Sequence, residues 1–108
     1  MTIQELKEFI KKEHQRMVAL CAKDETKDKR TLFRTIKLME EMGELCEEVL
    51  GFSCTQRKEK MRERDEEKLE EELADVLIVL LLLAENMEAD VFSAVKKKIK
   101  KIEKRYET

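Results

Sequence analysis

The sequence contains no proline, no tryptophan and only two glycines among its 108 residues. Sheets and loop-rich folds depend on turn residues, so this shortage argues against β structure. Charged residues make up 44% of the chain and hydrophobic residues 42%, a balance that suits amphipathic helices. No break in composition marks a linker. We therefore predict one all-α domain over residues 1–108, resembling a four-helix bundle.

Cysteine and histidine are also scarce. The three cysteines, Cys21, Cys46 and Cys54, are odd in number and show no CxxC spacing, which argues against a disulfide framework and a thiolate metal site. The single histidine, His14, belongs to no Glu-x-x-His pair, so we assign it no catalytic role. The same absence excludes a ferritin-like di-iron bundle.

Long apolar runs are missing as well. The longest, from Val76 to Ala84, is far shorter than the ~20 residues that span a bilayer. The first five residues lack the basic and apolar regions of a signal peptide. The formal net charge of −2 gives no general attraction to nucleic acid. We expect a cytoplasmic protein with no membrane or nucleic-acid partner.

Capping residues and apolar spacing place the helices. Helix one is predicted from Thr2, its N-cap, to about Ala22. Helix two is predicted to start near Thr31 and to end at Gly51 in a left-handed cap. Helix three follows an irregular stretch at 52–59 and a charged helical lead-in at 60–71, and it closes at Asn86 and Met87. Helix four follows the N-cap Asp90, and its predicted core face consists of Val91, Val95, Ile99, Ile102 and Tyr106.

Helix two carries the most informative pattern. Glu41 and Glu44 fall on one stripe with Glu48, at the edge of an apolar sector predicted to be buried: Leu38, Met39, Met42, Leu45, Cys46 and Val49. Carboxylates next to packed apolar surface are costly to desolvate, so a cation should meet them. Gly43, in the middle of this helix, predicts a close helix crossing.

A second acidic pair opens the apolar part of helix three. Glu72 and Asp75 repeat the i, i+3 spacing, and nine apolar residues follow Asp75. Two helices that each offer two carboxylates can surround a divalent cation with hard oxygen donors, which suits Mg²⁺ or Mn²⁺ rather than zinc. Lys37 lies one turn before Glu41, where it can form an ion pair or contact a phosphate.

These two motifs together resemble a known family. Glu40-Glu41-Met42-Gly43-Glu44-Leu45, followed by Glu72-Leu73-Ala74-Asp75-Val76-Leu77, is similar to the EExxE…ExxD motif of the all-α nucleotide pyrophosphohydrolases of the MazG type. The ending from Lys101 to Tyr106 also resembles single-domain members. The resemblance covers roughly residues 31–106.

The resemblance implies a reaction and a set of residues. It implies that Glu41, Glu44, Glu72 and Asp75 hold Mg²⁺, with Mn²⁺ as a substitute, and that Glu40 supports them. The implied reaction hydrolyses a nucleoside triphosphate to the monophosphate and pyrophosphate by attack of a metal-activated water on the α-phosphate. Glu40, Glu41 and Glu44 are the expected catalytic residues, and Lys37, Lys101 and Arg105 the expected phosphate contacts.

Three matters stay open from sequence. Base stacking can fall to Phe33, Phe52, His14 or Tyr106. Helix three is apolar on every side near Val79, which favours burial in a homodimer or homotetramer without deciding between them. The alternative to an enzyme is a non-catalytic helical oligomerisation or adaptor module, or an inactive family member.

Overall fold

The computed structural model describes residues 1–52 and 66–107, and in these ranges the chain consists of helices without strands. They are α1 Ile3–Leu20, α2 Lys27–Phe52, α3 Glu66–Asn86 and α4 Val91–Lys104. The predicted all-α class and the count of four helices are confirmed for the described ranges. Cys54, the irregular stretch beyond Phe52 and the first part of the charged lead-in lie outside them.

The first helix begins as its capping residues predict. The Thr2 hydroxyl accepts a hydrogen bond from the Glu5 backbone N–H at 3.0 Å, which satisfies one of the free N–H groups of the first turn. The helix ends at Leu20, because Cys21 adopts an extended backbone. Both ends lie within two residues of the prediction.

The second helix starts four residues earlier than predicted. Thr26, not a residue near Thr31, accepts the capping hydrogen bond, from the Lys29 N–H at 3.1 Å. Thr31 lies inside the helix, where its hydroxyl accepts a hydrogen bond from the buried Asn86 side chain at 2.8 Å. This contact ties the first turns of α2 to the last turn of α3, so a local cap and a tertiary contact together hold the start of the helix.

Two expectations about the glycines of α2 are wrong. A Cβ added to Gly43 would meet nothing within 4 Å among the described residues, so no close helix crossing lies there. Gly51 is buried and helical, and no described glycine has a positive φ, so it does not form a left-handed cap. The helix continues through Gly51 to Phe52.

Helices α2 and α3 pack against each other along an antiparallel seam, and α1 packs against α3. Thr31 meets Asn86 at one end of the seam, and Arg34 meets Leu82 one turn further along. The inward stripe of α2 follows the alternating three- and four-residue spacing of a two-helix seam. Its buried and half-buried members are Thr31, Arg34, Leu38, Glu41, Leu45 and Glu48.

The buried apolar core is small. Ile10, Leu81 and Leu82 form it, where α1 meets the last turns of α3. Half-buried Val91 and Phe92 at the start of α4 pack against the same cluster. Among the described residues, none of the helices combines the length and the apolar character needed to cross a membrane.

The last helix leaves the others after its first turn. Of its predicted core face, only Val91 is half-buried, whereas Val95, Ile99, Ile102 and Tyr106 are exposed. Leu73, Leu77 and Leu80 on α3 are exposed as well. The predicted burial of Val95, Ile99, Ile102 and Tyr106 is therefore wrong within the described chain, whereas the exposed leucines of α3 belong to the helix for which burial between copies was predicted.

The turn from α3 to α4 contains the one positive φ among the described non-glycine residues, at Glu88 with φ 57°. The N–H groups of Glu88 and Ala89 donate to the carbonyls of Glu85 and Ala84, at 3.1 and 2.9 Å. This is the pattern of a Schellman cap with glutamate in the left-handed position. The Glu88 carboxylate also lies 3.4 Å from Lys27 on the surface.

Replacing Glu88 by glycine should stabilise the protein. Glycine adopts this conformation without the Cβ strain that costs a non-glycine residue about 1 kcal/mol, so we expect Glu88→Gly to raise the free energy of unfolding by about that amount. Urea denaturation at fixed protein concentration measures it. The matched control is Glu88→Ala, which loses the same ion pair to Lys27 but keeps the Cβ. A glycine variant no more stable than the alanine variant would contradict the strain.

Candidate metal centre

Three of the four predicted metal ligands come together at the α2–α3 seam. One carboxylate oxygen from each of Glu41, Glu72 and Asp75 lies within 4.8 Å of the other two. Glu41 comes from the inward stripe of α2, while Glu72 and Asp75 face it from α3, one turn apart. The seam therefore brings the two sequence motifs to one point.

The most buried member of this group is Glu41, with 7% of its surface exposed. Its Oε1 lies 3.1 Å from Lys37 Nζ, but its Oε2 is buried and has no hydrogen-bond partner among the described residues. Glu72 Oε2 is in the same state. Burying a carboxylate oxygen without a donor is costly, and here two such oxygens belong to one acidic group.

The position of Glu41 corrects the sequence-based prediction. Glu41 does not lie at the edge of the buried face, because it occupies the middle of the inward stripe, between half-buried Leu38 and Leu45. Most of the apolar sector predicted to be buried faces outward instead, with Met39, Met42, Cys46 and Val49 all exposed. Asp75, which nine apolar residues follow in the sequence, is exposed.

Like charges dominate the electrostatics of the group. Burial raises the pKa of Glu72 above its ordinary value, and the carboxylates of Glu44, Asp75 and Glu41 raise it further. On the other side, a hydrogen bond to Glu41 raises the pKa of Lys37. Among the described residues, the cation paired with Glu41 is the exposed Lys37. One positive charge does not balance three carboxylates, so the acidic group retains excess negative charge.

Glu44 and Glu40 lie outside the three-residue group. Glu44 is exposed and does not belong to the set of oxygens within 4.8 Å, although its charge acts on Glu72. Glu40 is exposed and lies 3.8 Å from Lys37 Nζ. Glu44, the fourth predicted ligand, is therefore near the group without being part of it.

A divalent cation fits this arrangement. Mg²⁺ binds oxygen at about 2.1 Å, which places ligands on opposite sides of the ion about 4.2 Å apart. Oxygens that already lie within 4.8 Å of one another need only small side-chain rotations to reach that geometry. The buried, unpartnered oxygens of Glu41 and Glu72 would each gain a positively charged partner.

The predicted phosphate contacts are separated in the structure. Lys37 lies beside the acidic group and forms the i, i+4 ion pair with Glu41. Lys101 and Arg105 lie at the far end of α4, which contacts the core through Val91 and Phe92. Beyond Phe92, α4 is exposed. Within the described chain, the ion pair to the acidic group comes from Lys37 and not from these two cations.

A second polar cluster on the same seam was not predicted. Arg34 is buried, and its Nη1 donates to the Leu82 carbonyl at 2.8 Å and to His14 Nδ1 at 2.9 Å. Asn86, also buried, accepts from Arg30 Nε at 3.1 Å. In the sequence, only the spacing of Arg34 indicates that it is buried. Arg34 lies seven residues before Glu41, so both residues lie on the same inward stripe of α2.

Neutralising one acid should stabilise the metal-free protein while removing its response to metal. Because Glu72 lies among like charges, we expect Glu72→Gln to raise the melting temperature in EDTA. We expect Mg²⁺ to raise the melting temperature of the wild type in a saturable way, since it binds the folded state, but not that of the variant. Differential scanning calorimetry measures both effects.

The matched control is Glu71→Gln, the same change at the neighbouring exposed residue of α3. It should keep the full Mg²⁺ response. Equal Mg²⁺ shifts in the Glu72 and Glu71 variants would contradict the assignment of Glu72 as a ligand.

Comparison with known proteins agrees with the geometry of the seam. The family model described as MazG nucleotide pyrophosphohydrolase domain matches residues 30–108, most of the chain and all of both acidic motifs. Neither the search of curated proteins nor that of solved structures finds a match. The chain belongs to the MazG nucleotide pyrophosphohydrolase domain family.

Proposed function

We propose that this protein is a Mg²⁺-dependent nucleoside triphosphate pyrophosphohydrolase, which converts a ribo- or deoxyribonucleoside triphosphate to the monophosphate and pyrophosphate. The observation that carries the proposal is the buried Glu41 oxygen, without a partner among the described residues, in one group with Glu72 and Asp75. Family membership supports the reaction type. Carboxylates alone would repel a triphosphate, so the reaction requires a divalent cation.

Each acidic residue has a proposed role. Glu41, Glu72 and Asp75 hold the metal, and Glu44 joins them by rotation of its exposed side chain. Bound Mg²⁺ would neutralise phosphate charge and lower the pKa of a water. Glu40 orients that water from the exposed side of α2. The water oxygen bonds to the α-phosphorus as the bond to the bridging oxygen breaks, pyrophosphate leaves, and a carboxylate takes the proton.

Lys37 has a proposed role that follows from its observed pairing. Its ammonium group lies 3.1 Å from Glu41 and 3.8 Å from Glu40. A metal bound by Glu41 would compete with this ion pair, since both require the same carboxylate. The side chain is about half exposed and is then free to contact a substrate phosphate beside the metal.

Self-association is the second part of the proposal. A compact chain of 108 residues has a radius of gyration of about 13 Å, whereas this chain has 17.4 Å. Exposed apolar residues on α2, α3 and α4 favour assembly into a homodimer or homotetramer. We propose that Lys101 and Arg105 reach the triphosphate at the acidic group of a neighbouring copy.

Removal of one metal ligand should abolish turnover. We expect Asp75→Asn to reduce pyrophosphate release from a panel of nucleoside triphosphates by at least about 100-fold, because loss of a ligand costs more than loss of its supporting contacts. EDTA should abolish the wild-type activity. Helicity should remain, since Asp75 is exposed. The measurement is a pyrophosphate release assay with Mg²⁺.

The matched control is Glu47→Gln, an exposed residue of α2 outside the acidic group, which should keep wild-type turnover. Release of orthophosphate, or equal turnover in the Asp75 and Glu47 variants, would contradict the proposal. Mg²⁺-induced stabilisation without turnover on any nucleotide would favour a non-catalytic assembly module.

Mixed oligomers test whether the basic residues act between subunits. Asp75→Asn and Lys101→Gln subunits should each be weakly active alone. In a mixed dimer, one site combines intact acids with an intact Lys101 from the other copy, so random mixing should restore about a quarter of wild-type activity. No recovery after mixing and refolding would show that Lys101 does not act on the neighbouring copy.

A further inference from the structure

The single histidine of the chain joins α1 to the seam between α2 and α3. His14 lies in the second half of α1, and its Nδ1 lies 2.9 Å from Nη1 of Arg34 on α2. The same nitrogen of Arg34 donates to the Leu82 carbonyl of α3 at 2.8 Å. Arg34 therefore binds a side chain of α1 and a backbone group of α3 at once.

The contact between Arg34 and His14 fixes the protonation state of the histidine. A guanidinium group only donates hydrogen bonds and keeps its charge in proteins, so His14 Nδ1 must be the acceptor and carries no proton. The neutral ring then has its proton on Nε2. A second proton can bind only at Nδ1, the nitrogen that faces Arg34. Protonation of His14 and this hydrogen bond therefore exclude each other.

Arg34 is held in place when His14 gains a charge. Its surface is only 6% exposed, and its Nη1 is also bonded to the Leu82 carbonyl. A protonated His14 would place a second positive charge 2.9 Å from this buried one. Repulsion between like charges is stronger in a protein interior than in water. The contact is therefore stable only while the ring is neutral.

The charged groups that act on His14 come from both helices of the seam. In the part of the chain that the structure describes, they are Arg34 and Arg30 on α2 and Glu85 on α3. Burial lowers the pKa of His14 below its ordinary value, and the charge of Arg34 lowers it further. Glu85 opposes this shift, while Arg30 adds to it. The pKa is lowered on balance, so His14 is neutral at pH 7.

We propose that His14 is an acid-sensitive latch, which holds α1 against α2 through Arg34 while the ring is neutral and releases α1 when the ring takes up a proton. The apolar contacts of α1 are few: Ile10 belongs to the small buried core, and Leu6 and Met17 pack against it. Loss of one polar contact therefore falls on a helix with little other support. Arg34 lies about two turns of α2 from Glu41, so the latch is separate from the proposed metal centre.

The direction of the pH response follows from proton linkage. In released α1, the solvated ring titrates near its ordinary pKa of 6.5, whereas in the closed state it binds a proton more weakly. Acid therefore favours release. The ratio of released to closed α1 should be constant well above pH 6.5. Below that pH it should rise by up to about tenfold per pH unit, until the pKa of the closed state is reached.

Nuclear magnetic resonance of the imidazole ring tests the protonation step. Because the chain has one histidine, its ring signals are identified without further assignment. In EDTA we expect the ring proton on Nε2 at pH 7 and a titration midpoint below 6.5. The matched reference combines His14→Asn with Gln15→His, which moves the histidine to the next, exposed position of α1. A His14 midpoint at or above that of the reference, or a proton on Nδ1, would overturn the proposal.

Hydrogen exchange of the α1 amides tests the release itself. After correction for the intrinsic exchange rate, opening of α1 in the wild type should increase as the pH falls below 6.5. His14→Asn places an uncharged oxygen near the position of Nδ1 at similar helix propensity, so its α1 should lack this increase. The acidic group titrates in both proteins, and its effect cancels in their difference. Equal pH dependence in the two proteins would overturn the latch.

Two further variants assign the pKa of His14 to its neighbours. Arg34→Met removes the donor and its charge, so the midpoint should rise toward 6.5. Glu85→Gln removes the opposing carboxylate and should lower the midpoint. It keeps the printed bonds of Arg34 and therefore remains informative if Arg34→Met does not fold. The control Lys12→Gln, on the exposed side of α1, should leave the midpoint nearly unchanged. A midpoint that is the same in Glu85→Gln and Lys12→Gln would contradict the assignment. None of these measurements depends on pyrophosphate release.

Discussion

The seam between α2 and α3 holds like charges close together, and the rest of the structure depends on how this repulsion is overcome. The carboxylates of Glu41, Glu72 and Asp75 repel one another, and one of the three residues is buried. Hydrophobic packing of α2 on α3 must outweigh that repulsion. The polar contacts at the other end of the seam help, because Arg34 and Asn86 each donate to a specific partner across it. They set the register that brings the acids face to face.

The local features of the fold could be predicted from sequence. Thr2 and Asp90 cap α1 and α4 as expected, with hydrogen bonds to Glu5 and Ser93. Such caps depend on residues three positions apart, so short-range patterns contain the needed information. At the start of α2 the local cap on Thr26 was missed, and a second contact there, from Asn86 to Thr31, spans 55 residues. No local pattern reports a contact of that kind.

The acidic group was predictable as a set, but its burial was not. Both motifs met at the seam, with Glu41, Glu72 and Asp75 together and Glu44 near them. The error lay in assuming that the most apolar sector of α2 faces inward. In the structure, the stripe with the 3–4 spacing faces inward although four of its six residues are polar, and Met39 is exposed. Hydrophobicity identifies the buried face of a helix only when a single chain must bury all of its apolar surface. In this chain the outward apolar sector is a surface that the proposed oligomer would cover.

The small core has a consequence for how the protein responds to its own abundance. Ile10, Leu81 and Leu82 are the buried apolar side chains of the described chain, and none is fully enclosed. In the oligomer proposed above, contacts between copies would supply the free energy that so small a core does not. Folding and association would then form one equilibrium, in which mass action sets the folded fraction. Dilution would unfold such an oligomer, as a denaturant unfolds a monomer with a large core.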